Sequence, residues 1–389
     1  MSKQERLSSG CSLSDIEGKR IVVADDSDQH RAFLTAQSRA RGMLLGLALG
    51  DTLGTAHGTP PAGGVLRAGV STQLACFTAE GILRAMVRSS HKGICHPPSV
   101  VLHAYCRWAA VQGIETEKMR RHWAPSGNST AWPDGWLAHV PALAERRGSA
   151  PATVTALSRI GEGPERMATP SRGWHALART LPVAIAGMNG VAQAGEIAAL
   201  THGDAAARSA TTRAAFLVHY LLTHPAVPNR PAPQAIRAAL GRLPSAGLQL
   251  ADEGHDSHDS LLAALQQALD QPGDARRLAR LAPDATAPAA LLGALYVTAS
   301  FPARADVGAA LGFAASAPYP DSVACVTGAL LGAAHGVEAL PVDLSSRHEL
   351  AWVLDTLARD LLTEAATSPS GTAYTAAWDP TWLPRYPAW

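Results

Sequence analysis

The sequence predicts an all-α protein. Alanine and leucine recur at helical spacing from residue 38 to about residue 362, and glycine, proline and Asp/Ser/Thr residues interrupt the pattern where helices would end. Both residue types favour helix, and few or no segments have the character of strands. With 47% hydrophobic and 17% charged residues, most of the 389-residue chain is expected to pack into a core.

The helical pattern is clearest in eight segments. They span residues 40–53, 70–89, 100–112, 192–201, 206–222, 260–269, 289–300 and 321–335. Loops rich in proline and glycine are predicted at 58–69, 124–134, 147–173, 224–233 and 270–288. The first and last of these helices carry small residues at Gly46, Gly50, Gly328 and Gly332, which would let two backbones approach closely. We therefore expect these two helices at the centre of the domain.

Charge and cysteine usage narrow the class of partner and the compartment. The 33 basic and 32 acidic residues leave a net charge of only +1, which argues against binding to nucleic acid or to an anionic membrane through a basic surface. Five scattered cysteines without a pairing rhythm favour a reducing compartment. The polar first 15 residues and the absence of a long apolar run predict a soluble, cytoplasmic protein.

Both ends of the chain differ from its middle. Residues 1–37 are expected to form a flexible N-terminal arm, and residues 38–389 to form one helical domain. The last residues, from Trp378 to Trp389, are dense in tryptophan and proline. Because a solvated tail would not carry so many large apolar side chains, this segment is predicted to be an extended strap packed on the body. The oligomeric state does not follow from the sequence.

Three motifs occur in order along the chain. They are Gly50-Asp51-Thr52-Leu53-Gly54, Ser71-Thr72-Gln73-Leu74-Ala75 and Pro318-Tyr319-Pro320-Asp321-Ser322. In order and spacing they resemble the ADP-ribosylglycohydrolase family, the all-helical enzymes that remove ADP-ribose from protein side chains with two magnesium ions. The resemblance extends over roughly residues 38–389. It implies a compact orthogonal bundle of helices with a central cleft.

The chain departs from the family at the positions that the resemblance assigns to the metals. The family's first metal motif supplies a threonine and two aspartates, and the corresponding residues here are Gly69, Val70 and Ser71. In the second motif Tyr319 replaces an acid, whereas Asp321 is retained. Two Mg²⁺ ions would have too few carboxylates around them. We therefore expect no metal and no cofactor, with one Mg²⁺ held by Asp321 and a substrate diphosphate as the alternative.

Aromatic residues occupy two loops that the resemblance places at the cleft. Trp174 lies in the counterpart of the family's glycine-rich loop, and Tyr319 precedes the retained aspartate. A pocket lined by these rings would be drier and could bind an apolar ligand or stabilise a cation. The rings could equally fill the volume that the ions vacated. The predicted substrate-binding residues are Trp174, Tyr319, Ser71, Ser322, Val70 and Arg179.

Three titratable residues are the catalytic candidates. Asp321 is predicted to be the main acid or base, because loss of solvation in an aromatic-lined cleft would favour its protonated form. Asp51 ends a helix, where a carboxylate is unfavourable unless it packs against a partner or faces a ligand. His175, next to Trp174, could carry a proton near neutral pH.

Three functions remain open at this point. The leading hypothesis is a repurposed, metal-independent enzyme that performs hydrolysis, elimination or cyclisation on a small organic substrate in the cleft. The second is a non-catalytic protein that binds ADP-ribose, a nucleotide or a protein partner. The third is a residual ADP-ribosyl hydrolase with a reduced metal requirement.

Overall fold

The computed structural model describes residues 26–123, 132–224, 232–248, 250 and 257–388. Over these ranges the chain forms α-helices, short 3-10 helices and three isolated β-bridges, and no strand. The all-α prediction is therefore confirmed. Within the same ranges no helix is both long and apolar enough to cross a membrane.

The helices follow one another with mostly short connections. They are α1 (Asp26–Thr55), α2 (Val70–Lys92), α3 (Pro97–Val111), α4 (Glu117–Trp123), α5 (Pro141–Ala144), α6 (Pro151–Ser158), α7 (Pro164–Met167), α8 (His175–Thr180), α9 (Met188–Ala199), α10 (Ala205–Thr223), α11 (Ala232–Arg242), α12 (His258–Asp270), α13 (Ala275–Leu281), α14 (Ala287–Ser300), α15 (Val307–Ala314), α16 (Pro320–His335), α17 (Val342–Ser345), α18 (Ala351–Thr367) and α19 (Trp382–Arg385). The 3-10 helices span Trp136–His139, Leu181–Ala186, Leu243–Ser245, Arg304–Asp306 and Val337–Ala339.

The eight predicted helices all form, and apart from the start of α1 their ends lie within four residues of the predicted ones. Helix α1 begins at Asp26, so residues 26–37 are helical although the sequence predicts an arm there; the first 25 residues lie outside the described part. The predicted loops at 147–173 and 270–288 contain α6, α7 and α13. Helix α6 begins with Pro151, whose fixed φ suits the first position of a helix. This proline therefore starts a helix and does not mark a loop.

Helices α1 and α16 pack backbone to backbone along a seam of small residues. A Cβ atom on Gly42 would lie 2.5 Å from the carbonyl oxygen of Gly332, and one on Gly328 would lie 2.6 Å from the carbonyl carbon of Gly46. No real side chain tolerates such distances from backbone, so only glycine permits this approach. The close approach of helix backbones that the small residues predict is therefore present, and the structure shows that α1 and α16 are each other's partners.

A buried ion network joins α2 to α3. The carboxylate of Glu80 accepts hydrogen bonds from Arg107 at 2.8 and 2.5 Å and forms an ion pair with Arg84 Nε at 2.9 Å. Arg84 also donates to Asp134 at 2.7 Å. The side chains of Glu80 and Arg107 are fully buried, and those of Arg84 and Asp134 are 2% and 21% exposed. The network holds the loop that contains Asp134 against the helices.

The C-terminal segment is only partly the extended strap that the sequence predicts. It packs through Tyr386, which is buried and donates a 2.7 Å hydrogen bond to Asp360, and it includes the short helix α19. Trp378 is 66% exposed and contributes little to the packing. Trp389 lies outside the described residues.

Candidate functional site

Most of the predicted site residues lie where three helices begin, whereas Asp51 is near the end of α1 and Arg179 near the end of α8. Val70 is the first residue of α2, His175 the first of α8, and Pro320 the first of α16. Helix α8 packs against both α2 and α16. Because backbone N–H groups at helix starts point outward without helical acceptors, this region carries partial positive charge.

Asp51 turns its carboxylate into the first turn of α2. Its Oδ2 atom accepts hydrogen bonds from the Thr72 backbone N–H at 3.0 Å and from the Thr72 hydroxyl at 2.6 Å. A Cβ atom at Gly69 would lie 2.6 Å from Asp51 Oδ2, so this carboxylate position depends on glycine at 69. Only 3% of Asp51 is exposed. Asp51 therefore satisfies N–H groups at the start of α2, and glycine in place of a family metal ligand makes the contact possible.

Burial raises the pKa of Asp51 to about 6, with Asp321 contributing further and the Thr72 hydrogen bonds opposing. The folded protein then retains a proton that the unfolded chain, with an ordinary aspartate pKa of 3.8, has already lost. We expect the free energy of unfolding to fall by up to about 3 kcal/mol as the pH rises from about 4 to about 6. Urea denaturation at a series of pH values should show this slope reduced in Asp51→Asn and unchanged in the exposed control Asp343→Asn. Equal slopes in wild type and Asp51→Asn would contradict the assignment.

Ser71 and His175 form a hydrogen-bonded pair between α2 and α8. The Ser71 Oγ and His175 Nδ1 atoms are 2.7 Å apart. The Ser71 side chain is fully buried, whereas His175 is partly exposed, and its ring stacks on that of Trp174 with centroids 4.3 Å apart. Burial, together with the charge of Arg179, lowers the pKa of His175 to about 4. The imidazole is therefore neutral at physiological pH and has a lone pair with which to accept a proton.

Arg179 lies one turn further along α8 and is fully buried among neutral partners. It donates to the hydroxyls of Thr153 at 2.8 Å and Thr201 at 2.6 Å, and its guanidinium lies 4.6 Å from the centre of the Tyr105 ring. Thr201 also contacts the buried His202, with Oγ1 2.7 Å from Nδ1. Burial lowers the pKa of His202 to about 2. These buried residues pack against α8 and keep the positive charge of Arg179 close to His175.

The start of α16 carries the remaining predicted residues. Asp321 is partly exposed, and its Oδ1 atom accepts a 2.9 Å hydrogen bond from the Ser322 N–H. The fully buried Ser322 donates its hydroxyl to the Tyr319 carbonyl at 2.8 Å. The Tyr319 side chain is 42% exposed. A Cβ atom at Gly54 would clash with the Asp321 Cα atom, and Asp51 is three residues earlier on α1, so Asp51 and Asp321 lie in one region.

The predicted residues are thus brought together, but few of them are open to solvent. His175, Asp321 and Tyr319 are partly or clearly exposed, whereas the others are at most 7% exposed. Sequence reasoning missed Thr72, which fixes Asp51, and the hydroxyls of Thr153 and Thr201 that hold Arg179. No sequence signal could have found the role of Thr201, because it depends on a residue 22 positions away.

The donor groups of the site offer little to a metal ion. Within the described ranges no cluster of three or more His, Cys, Asp or Glu side chains is arranged to hold one. Asp51 and Asp321 are the two carboxylates of the candidate site, and the first of them is committed to the start of α2.

Comparison with known proteins finds a solved structure with a similar fold and a family model that matches the sequence. A solved structure described as an "ADP-ribosylglycohydrolase-related protein complex" aligns with a TM-score of 0.56 and 20% identity over 85% of this chain and 99% of that chain. At this identity the likeness concerns the fold. The family model for ADP-ribosylglycohydrolase matches residues 34–371. The chain therefore belongs to the ADP-ribosylglycohydrolase family. No curated protein matches it.

Proposed function

We propose that this protein is a metal-independent enzyme built on the ADP-ribosylglycohydrolase scaffold, which uses acid–base chemistry on a small organic substrate. The observation that carries the proposal is the 2.7 Å pair of Ser71 and His175 at the start of α2. The family resemblance assigns this position to a metal motif. Ser71 stands there in place of a metal-binding carboxylate, and it contacts a proton acceptor, His175.

In this proposal His175 is the base and Ser71 positions it. The His175 Nδ1–H donates to Ser71 Oγ, which leaves Nε2 with a lone pair for the substrate proton. This hydrogen bond keeps the proton on Nδ1 and so selects the tautomer of the ring in which Nε2 is unprotonated. Stacking on Trp174 limits rotation of the imidazole. Because the pKa of His175 is lowered to about 4, the ring is in its basic form throughout the physiological range.

Asp321 is the proposed partner acid, and Tyr319 is the proposed wall for an apolar or cationic part of the substrate. Both are accessible, and they lie at the same helix start. An aromatic face next to a carboxyl group suits a substrate that develops positive charge during the reaction. The reaction class is hydrolysis, elimination or cyclisation, since each can proceed by acid–base catalysis, with water as the second reactant in hydrolysis.

The proposed independence from magnesium rests on the donor groups of the site. Mg²⁺ requires near-octahedral oxygen ligands, and two neighbouring ions require several carboxylates to offset their repulsion. Asp51 is 3% exposed and bonded to Thr72, so Asp321 is the one carboxylate of the site with an accessible surface. This set does not fit a dimagnesium centre.

We expect the purified protein to deplete a compound from a pool of cellular small molecules, as followed by mass spectrometry, and to do so equally in the presence of a chelator. Loss of a positioned acid or base typically costs about 10²- to 10⁴-fold in rate. His175→Gln and Asp321→Asn should lose the activity to that extent. The exposed control His139→Gln should retain it. The wild-type rate should fall as the pH drops through about 4, where His175 gains its proton.

Calorimetric titration with ADP-ribose, with and without millimolar Mg²⁺, separates this proposal from its two rivals. Binding with no turnover of any compound would favour a non-catalytic binding protein. Magnesium-dependent binding with release of ADP-ribose from a modified peptide would restore the hydrolase and refute metal independence. The proposal expects no enhancement of binding by Mg²⁺.

A further inference from the structure

A cavity of about 310 Å³ opens beside the first turn of α2. Its walls come from Val70, the C-terminal part of α3, the loop after α5 and the first residues of α6. Trp108, Ile114 and Val154 give it apolar surfaces. Its size lies at the lower end of the range for small-molecule pockets. None of these wall residues, apart from Val70, belongs to the site described above.

Two arginines line the same cavity, and they differ in how their charge is balanced. Arg147 forms ion pairs with Glu349 at 3.5 Å and Glu145 at 3.8 Å. Arg146 donates from Nε and Nη2 to the carbonyl oxygens of residues 112 and 113, at 3.0 and 3.1 Å. Among the described residues it has no carboxylate partner, and its Nη1 group has no acceptor. The Arg146 side chain is exposed to solvent, and its two backbone hydrogen bonds hold its positive charge at the cavity wall.

The start of α6 adds to the positive potential of the cavity. Residues 149–151 line it, and Pro151 is the first residue of this eight-residue helix. No side chain caps the helix start. Pro151 has no N–H, so the N–H groups without helical acceptors at this helix start are those of residues 152 and 153, and such groups favour an anion nearby. No carboxylate is among the described residues that line the cavity, and Glu145 and Glu349 interact with it only through Arg147.

We propose that this cavity binds a small organic anion, specifically a carboxylate with a flat apolar body. The carboxylate pairs with Arg146 Nη1 at the start of α6, and the apolar body lies against Trp108 and Val154. Charge-assisted hydrogen bonds to a guanidinium are the strong polar contacts in such a pocket, and burial of the apolar part supplies further affinity. Binding measurements alone test this site, and the proposal does not depend on the catalysis proposed above.

Calorimetry with benzoate, phenylacetate and indole-3-acetate tests the proposal, with the corresponding amides as uncharged controls. We expect saturable binding of at least one acid and binding of its amide at least about tenfold weaker, because the amide loses the charge-assisted contact. The proposal is overturned if no acid binds, or if acids and amides bind equally.

Two variants locate the binding. Arg146→Gln should weaken the binding of the acid at least about tenfold, whereas the exposed control Arg276→Gln on α13 should leave it unchanged. Because Arg146 also holds the backbone of residues 112 and 113, Val154→Phe is the second variant, which fills the cavity without removing a charge. It should abolish binding while the melting temperature is maintained. Wild-type affinity in the Val154→Phe protein would place the ligand elsewhere and refute the site.

Discussion

Replacement of Glu80 with glutamine is expected to lower the free energy of unfolding by about 3 to 5 kcal/mol, the usual cost of removing one partner of a buried ion pair. The Glu80 carboxylate is fully buried and serves two guanidinium groups, those of Arg84 and Arg107. A glutamine amide keeps the shape but replaces one acceptor oxygen with a donor that faces other donors. Of the two carboxylates in this network, Asp134 would then remain to pair with both cations.

Urea denaturation of Glu80→Gln and of a matched surface variant measures this effect. Glu117 pairs with Arg121 at 3.0 Å, and their side chains are 66% and 78% exposed. Glu117→Gln should therefore change the free energy of unfolding by less than about 1 kcal/mol. Similar losses in the two variants would mean that the buried network does not stabilise α2 against α3.

Substitution of Gly328 with alanine is expected to destabilise the protein by about 4 kcal/mol or more, which is at the upper end of single substitutions. The added methyl group would lie 2.6 Å from the carbonyl carbon of Gly46. Neither helix backbone can move alone, because α1 and α16 are in contact from Gly42 to Gly54. The helices must separate, and the surrounding core loses its packing.

Gly312 provides the control for this substitution within a neighbouring helix. It lies in α15, and no atom lies within 4 Å of the position that a Cβ atom would take there. Gly312→Ala should therefore stabilise the protein by up to about 1 kcal/mol, because alanine is the better helix former. Thermal unfolding of the two variants gives the comparison. A Gly328→Ala protein that melts near the wild-type temperature would show that the seam adjusts more easily than its geometry indicates.

The helical core follows from local spacing, and for that reason the sequence was informative about it. Ala and Leu periodicity located α2, α10 and α16 to within a few residues. Glycines four residues apart indicated that helix backbones approach closely, and only the structure shows that α1 and α16 are the two partners. Helix ends were less predictable. Pro151 could start a helix or interrupt a loop, and the choice depended on whether the following apolar residues found partners.

In the site, too, the sequence was informative about individual positions but not about contacts between distant residues. Family motifs identified Asp51, Ser71 and Asp321, because these positions are fixed by order along the chain. The sequence carries no signal that Ser71 contacts His175, which is 104 residues away, because that contact depends on how α2 packs against α8.

The amino-acid sequence indicates the class of fold, the small-residue faces that let helix backbones approach closely, and the family motifs with their substitutions. Only the tertiary structure decided how the polar groups are used: Asp51 is committed to the start of α2, and Glu80 is buried between two arginines. The two kinds of feature differ in how far apart along the chain the interacting residues are. Helix formation and small-residue stripes depend on neighbours within two turns, whereas the partner of a buried polar group is whichever distant segment the packing of the core brings into hydrogen-bonding distance.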